Sequence, residues 1–307
     1  MQTTTFLQQR NLHLTIANKH WKKVLSGDWP YESIKAINEA VPSDNEFRDN
    51  YYNFRATDAK DLFEKQKDSP NQEYGSDFGY DENKHGYRCD DFDVIMRRPT
   101  KKLLALGCSF TYGIGVPEAH TWPRLLANWL EQIYGDKIDV INLGVPGGSV
   151  FQCDMHLNWF DKFNPDYAVA LWPEPSRTIG INDRGYLRHM GRWISDTTNE
   201  NLLKHFYKAH IEYAPDQLMF TKQVMVGKFE MLERLTGTKI AHLDVNEEKL
   251  RNSWMQHPQV ECTPADIFCA GNPRITTSAR DLQHYGTHWN MRLCKQLISQ
   301  LTDPNKK

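Results

Sequence analysis

Lys102-Leu103-Leu104-Ala105-Leu106-Gly107-Cys108-Ser109-Phe110-Thr111-Tyr112-Gly113 carries an apolar run of strand length into a glycine and then a serine. So short and so apolar a run suits a strand covered on both faces, the environment of a parallel sheet. The glycine permits a sharp turn. Thirteen residues beyond Ser109, the pair Trp122-Pro123 opens an amphipathic helix. Strand, turn and helix in that order make the first unit of an α/β fold.

The alternation continues outward. Ile138 to Leu143, Tyr167 to Trp172 and Lys239 to Val245 are further short apolar runs, each expected to be a strand of the same sheet. Trp122, Leu125, Leu126, Trp129, Leu130 and Ile133 mark one helical stripe, and Val150, Cys153, Leu157 and Phe160 mark another. Thr197 and Glu200 form a capping box ahead of Leu202, Leu203, Phe206 and His210. A longer helix is expected from about Pro215 to Leu235, stopped at Gly237, and Cys294, Leu297, Ile298 and Leu301 define the last one. The pattern predicts a three-layer, doubly wound (flavodoxin-like) parallel α/β domain over residues 99–307. In such a fold, ligands bind beyond the carboxyl ends of the strands.

Residues 1–98 differ in character, being rich in Asp, Asn and Tyr with few consecutive aliphatics. A short helix is read from Trp29 to Ala40, where Tyr31, Ile34 and Ile37, with Val41 just beyond its end, follow helical spacing, and Pro42 stops it. One more helix is placed around Asp58 to Lys67, and the rest of residues 44–82 reads as loop. A segment this polar cannot fill a core of its own. It is read as an irregular N-terminal extension that packs on the main domain.

Of 307 residues, 39% are hydrophobic and 25% charged, enough to bury a core and remain soluble. A net charge of -2 offers no concentrated basic surface for nucleic acid. No apolar run approaches the roughly 20 residues that span a bilayer, and the N-terminus lacks the apolar stretch of a secretory signal. A cytoplasmic protein without membrane contact is expected. The six cysteines are scattered, without a C-x-x-C pair, so reduced thiols are expected. The twelve histidines show neither H-x-x-x-H nor pairing with cysteine, so no metal site is expected, and no cofactor.

Ser109, on a strand-to-helix turn, is a candidate nucleophile; in a purely structural role it would cap the helix that follows. Near the other end, Asp281-Leu282-Gln283-His284 sets a carboxylate and an imidazole three residues apart. Serine, imidazole and carboxylate are the types that form a nucleophile, its base and the group that orients the base. His288 is an alternative base, although no acid stands at the matching distance before it. Cys108 is an alternative nucleophile, but a cysteine closing a buried strand is more often a small core residue.

Together, Leu106-Gly107-Cys108-Ser109-Phe110-Thr111-Tyr112-Gly113, the later Trp-Pro and the terminal Asp-x-x-His resemble the SGNH hydrolases, also called GDSL esterases. The resemblance implies an α/β sandwich with Ser109 as nucleophile, His284 as base and Asp281 as orienter. Cys108 stands where the family's first block carries aspartate, and Thr111 replaces the second glycine of a G-x-S-x-G elbow. Val140-Ile141-Asn142-Leu143-Gly144-Val145-Pro146-Gly147 is similar to the second block. That likeness implies an oxyanion hole built from the amides of Ser109 and Gly147, with Gly144 and Gly148 as competitors for the glycine role. The asparagine that the family places after the third strand has no counterpart in Trp172-Pro173-Glu174-Pro175-Ser176-Arg177. Ser176 or Arg177 could donate instead. Trp172, Ser176, Arg177 and Arg88 are the candidate substrate contacts. The run Asn83 to Arg88 is similar to one in a subset of SGNH-type proteins, with Gly86 allowing a tight turn and Arg88 expected to brace the loop against a carboxylate. It is expected beside the mouth of the active site.

The implied function is hydrolysis of a small acyl ester, with O-acetyl groups on carbohydrate as one candidate, or transfer of the acyl group to an alcohol. The alternative is a non-catalytic glycan-binding or structural protein that keeps a degenerate SGNH pocket.

Overall fold

The computed structural model describes residues 51–69, 72–181, 187–191, 201–213, 215–245, 279–281 and 284–302. The helix expected from Trp29 to Ala40 and the capping box at Thr197 and Glu200 lie outside these residues. A small antiparallel pair, β1 (Tyr51–Tyr52) and β2 (Tyr80–Asp81), precedes the main sheet. The main sheet begins with β3 (Lys101–Gly107), β4 (Ile138–Gly144) and β5 (Tyr167–Trp172). A hairpin of β6 (Thr178–Ile181) and β7 (Leu187–Met190) follows, and β8 (Lys239–Asp244) is the last strand of the main sheet among the described residues. The four main strands are parallel in the order β4-β3-β5-β8.

Alternation along β3 explains the three layers. Leu104 and Leu106 join a core with Val150, Cys153, Phe160, Phe163, Val226 and Phe229, from the helices Val150–Leu157, Phe160–Phe163 and Pro215–Thr236. Leu103 and Ala105 face the other way, into a core with Trp122, Leu126, Leu130, Trp289, Leu293 and Leu297. Those residues come from the helices Trp122–Tyr134 and Thr287–Thr302. Successive side chains of a strand point to opposite faces, so a strand covered twice must be apolar at every position. The strand order reverses between β3 and β5, and that is where a doubly wound sheet opens its crevice. Ser109 follows β3 at this point.

The four expected strands lie within one or two residues of their observed ends. The stripe from Val150 to Phe160 is two helices rather than one, because the chain turns at Asn158 and Trp159. The long helix ends as expected, with Gly237 at φ 74° and its amide donating to Glu233 O. Within the polar run, the helix is Lys60–Gln66, and a second one, Phe92–Arg97, had no sequence signal strong enough to place it. Among the described residues, Cys89, Cys108, Cys153 and Cys294 are buried free thiols. No described helix is long and apolar enough to cross a membrane.

Candidate active site

Ser109 is the first residue of the short helix Ser109–Tyr112, whose cap position is Cys108. Its hydroxyl therefore does not cap the helix; it faces an imidazole. His284 Nε2 lies 2.8 Å from Ser109 Oγ, and His284 Nδ1 lies 2.7 Å from Asp281 Oδ2. The His284 amide donates to Asp281 Oδ1 at 3.0 Å, a second link between the same two residues. A proton on Nδ1 directed at the carboxylate leaves Nε2 as the acceptor for the serine hydroxyl. Sequence separation between Ser109 and His284 is 175 residues, so the meeting is a product of the fold.

Turn geometry delivers the serine. Gly107 sits opposite Gly144 across β3 and β4. A Cβ on Gly144 would run into the amide of Tyr112, and one on Gly107 into the side chain of Thr111. Only bare backbone lets the Ser109 helix settle so close to the strand ends. Asn142 then ties the two together, its Nδ2 donating to Thr111 O and its Oδ1 accepting from the Gly144 amide, both at 2.9 Å.

The carboxylate is equally constrained. Asp281 is 2% exposed. Burial alone would push its carboxyl up, but the hydrogen bond and charge of the His284 ring, the Thr57 hydroxyl and the His284 amide outweigh this and hold it below its ordinary value. Its neighbour Arg280 is fully buried, pairs with Asp58 at 2.6 Å and donates to the carbonyls of Phe78 and Asn53. The Arg280 amide donates to Gly115 O, and Gln72 donates to Arg280 O. The loop that carries Asp281 and His284 is thus held by Asn53, Asp58, Gln72 and Phe78 on one side and Gly115 on the other.

Gly147, at φ 74°, lies in the turn after β4, on the same rim of the sheet as Ser109. Ser176 and Arg177 follow β5 on that rim and are half-buried. Ser176 donates to Glu174 Oε1 at 2.7 Å. Two expectations need correction. Trp172 is fully buried in the core, edge-on to Phe229, because its position on β5 points into the helical layer and not at the rim. Arg88 is 2% exposed, so it is not a substrate contact. It braces the loop, but by donating to the carbonyls of Gly113 and Gly79 rather than to a carboxylate, with Tyr80 under its guanidinium. Cys108 is completely buried, which removes its sulfur from any substrate.

The residues sequence reasoning missed are Thr57, Asp58, Asn142, Gly115 and Arg280. Asn142 was within a quoted block, and Gly115 stood two residues after another glycine; nothing local marked the other three. An open cleft around Lys101, Asp136 and Asp166 lies at the opposite edge of the sheet, among surface charges. Among the described residues, no group of three or more His, Cys, Asp or Glu could hold a metal ion.

No protein-family model matches the chain, and no curated protein does. Solved structures do. The chain is similar to a lipase from a goat rumen metagenome at 13% identity and a TM-score of 0.42, covering 66% of this chain and 97% of that one. It is also similar to an acetyl xylan esterase variant from Geobacillus stearothermophilus at 14% identity and a TM-score of 0.30, covering 66% and 94%. A further acetyl xylan esterase aligns at 16% identity and a TM-score of 0.28, covering 65% of this chain and 73% of that one.

Proposed function

We propose that this chain is a serine ester hydrolase of the SGNH type. One observation carries the reading: Ser109, His284 and Asp281 stand in an unbroken hydrogen-bonded relay at the carboxyl edge of the sheet, at its point of strand reversal. Ser109 Oγ attacks the ester carbonyl carbon as His284 Nε2 accepts its proton. The tetrahedral intermediate collapses when that proton passes to the leaving alcohol, and an acyl-serine remains. Water, deprotonated by the same imidazole, releases the carboxylic acid and restores the hydroxyl. Asp281 holds the ring and stabilises the imidazolium in both halves.

The amides of Ser109 and Gly147 are assigned to the developing oxyanion. Ser176 and Arg177 are assigned to the position left by the missing asparagine, one as a further donor and the other as a substrate contact. A single oxyanion donor is worth on the order of 10²–10³ in turnover, so a slow enzyme is expected if neither substitutes. The preferred substrate is a small acyl ester. Ser109 is only 8% exposed, and Phe110 lies tilted against His284 and stacked on Tyr285, close surroundings that favour a short acyl chain. The same half-buried rings offer an apolar face to a sugar, which favours O-acetyl groups on carbohydrate.

Hydrolysis of p-nitrophenyl acetate by wild type and Ser109→Ala tests the reading, together with labelling by a fluorophosphonate. Turnover and labelling that both vanish in Ser109→Ala support it. A folded wild type whose serine never reacts would leave the glycan-binding alternative, which the absent asparagine favours. Product analysis with an added alcohol separates hydrolysis from acyl transfer.

A further inference from the structure

Two buried ion pairs on the N-terminal side have no part in the relay as described, yet both end next to it. Arg55 and Asp58 close a tight turn, exchanging backbone hydrogen bonds at 2.8 and 3.0 Å, with Ala56 at φ 54°. Arg55 is anchored by Glu82 at 3.0 Å, and Asp58 by Arg280 at 2.6 Å. Glu82 also accepts from Tyr112 at 2.6 Å, so the turn is tied to the helix that carries Ser109. Between the two anchors stands Thr57. Its hydroxyl donates to Asp281 Oδ2 at 2.7 Å, the oxygen that also receives the His284 ring.

We propose that Thr57 is a positioning residue for the Asp281–His284 pair, so that the segment before the main domain completes the relay. The proposal rests on the relay reading given above. A buried carboxylate has several lone pairs, and each unfilled one lets it rotate or admit water. Asp281 has Oδ1 filled by the His284 amide, and Oδ2 shared by the ring and Thr57. With the Thr57 hydroxyl in place, the carboxylate has one orientation in which all three donors are satisfied. That orientation points His284 Nε2 at Ser109. A neutral hydroxyl does this without adding a charge that would compete for the imidazolium. The residue itself is exposed while its partner is buried, so its hydroxyl contributes orientation and little packing.

The test compares Thr57→Val, which keeps the shape and loses the donor, with Thr57→Ser, which keeps the donor. Thr57→Val is expected to lower kcat about tenfold with KM within about twofold, the scale of one hydrogen bond to a charged group. Thr57→Ser restores kcat, and both variants melt with the wild type. Unchanged kcat in Thr57→Val overturns the proposal, as does a Thr57→Ser as slow as the valine variant, since either result leaves the hydroxyl without a role. A second readout needs no substrate. The His284 Nδ1 proton, observed by NMR, should move or broaden in Thr57→Val and return in Thr57→Ser. An identical resonance in wild type and Thr57→Val overturns the inference. Absence of Ser109-dependent turnover in wild type fails the hydrolase reading instead, and the proton resonance still decides the role of Thr57.

Discussion

Arg280 and Asp58, 222 residues apart in the chain, form an ion pair from which solvent is wholly excluded. The guanidinium also donates to Phe78 O and Asn53 O and lies over the Phe78 ring, so its donors are spent on the N-terminal segment while its backbone carries the loop of the proposed acid and base. A buried pair of this kind adds little over an apolar pair of equal volume. Losing one partner, however, strands the other charge at a cost of about 3–5 kcal/mol. Arg280→Met and Asp58→Leu should each lower the urea midpoint sharply, and the double variant should be more stable than either single one. Equal additive losses in the double variant would show that the two charges do not answer each other.

The proposed relay predicts a particular non-additivity. Ser109→Ala, His284→Ala and the double variant should be equally slow, because the two residues act as one unit. Asp281→Asn should keep the geometry yet lower kcat by about 10³–10⁴, since an amide favours the wrong imidazole tautomer. KM should change little in all of them. Steady-state kinetics on p-nitrophenyl acetate checks each value, and a Ser109→Ala/His284→Ala variant much slower than both singles would contradict a shared mechanism.

The main sheet was legible because burial on both faces leaves a strong mark: unbroken apolar runs such as Leu103 to Leu106 can lie in few other places. Helical stripes were legible for the same reason, but a stripe does not reveal a break. Val150, Cys153, Leu157 and Phe160 keep their spacing across the turn at Asn158, so one helix was expected where two exist. The β6–β7 hairpin was missed because its strands are only four residues each, with apolar side chains at just half of their positions. For the candidate site, Ser109, Asp281 and His284 stood in recognisable blocks. Thr57, Asp58 and Arg280 did not, since a charge in a polar run looks like any solvated charge until its partner arrives from the far end of the chain. Arg88 illustrates the converse: its position near the site was expected, but backbone carbonyls as partners leave no sequence trace.

Close approach of the Ser109 helix to the strand ends predicts a narrow tolerance at Gly144. A methyl group there would overlap the Tyr112 amide, a backbone atom that cannot swing aside. Gly144→Ala should displace the helix, break the Asn142 bond to Thr111 O and cost about 1–3 kcal/mol, the range for overpacking a filled core. Gly115→Ala tests the other flank, where a new Cβ would sit 3.1 Å from Asp281 Oδ1 and the backbone is at φ +72°. Thermal melts should show both losses. Kinetics should show a larger drop for Gly115→Ala than its stability loss explains, because it disturbs the carboxylate directly.

Stability should fall through mildly acidic pH for a reason separate from the relay. His156 is wholly buried, bonded through Nε2 to Tyr87 at 2.8 Å, and burial, then the nearby His189, pulls its ring down to about 3. In His189 both ring nitrogens are buried although part of the residue reaches solvent, and burial, then the charge of Arg177, pulls it down to about 4. Both folded values lie below the ordinary 6.5, so below that pH the unfolded chain binds protons that the native state refuses. The stability these neutral rings contribute is intact above pH 6.5 and is lost as pH falls through about 4 for His189 and about 3 for His156. Each ring can account for a slope of up to about 1.4 kcal/mol per pH unit. Urea midpoints measured between neutral pH and pH 4 should decline, and His156→Gln should flatten the decline even if it lowers stability at pH 7. A midpoint that holds constant across that interval would mean that neither ring is kept neutral by the fold.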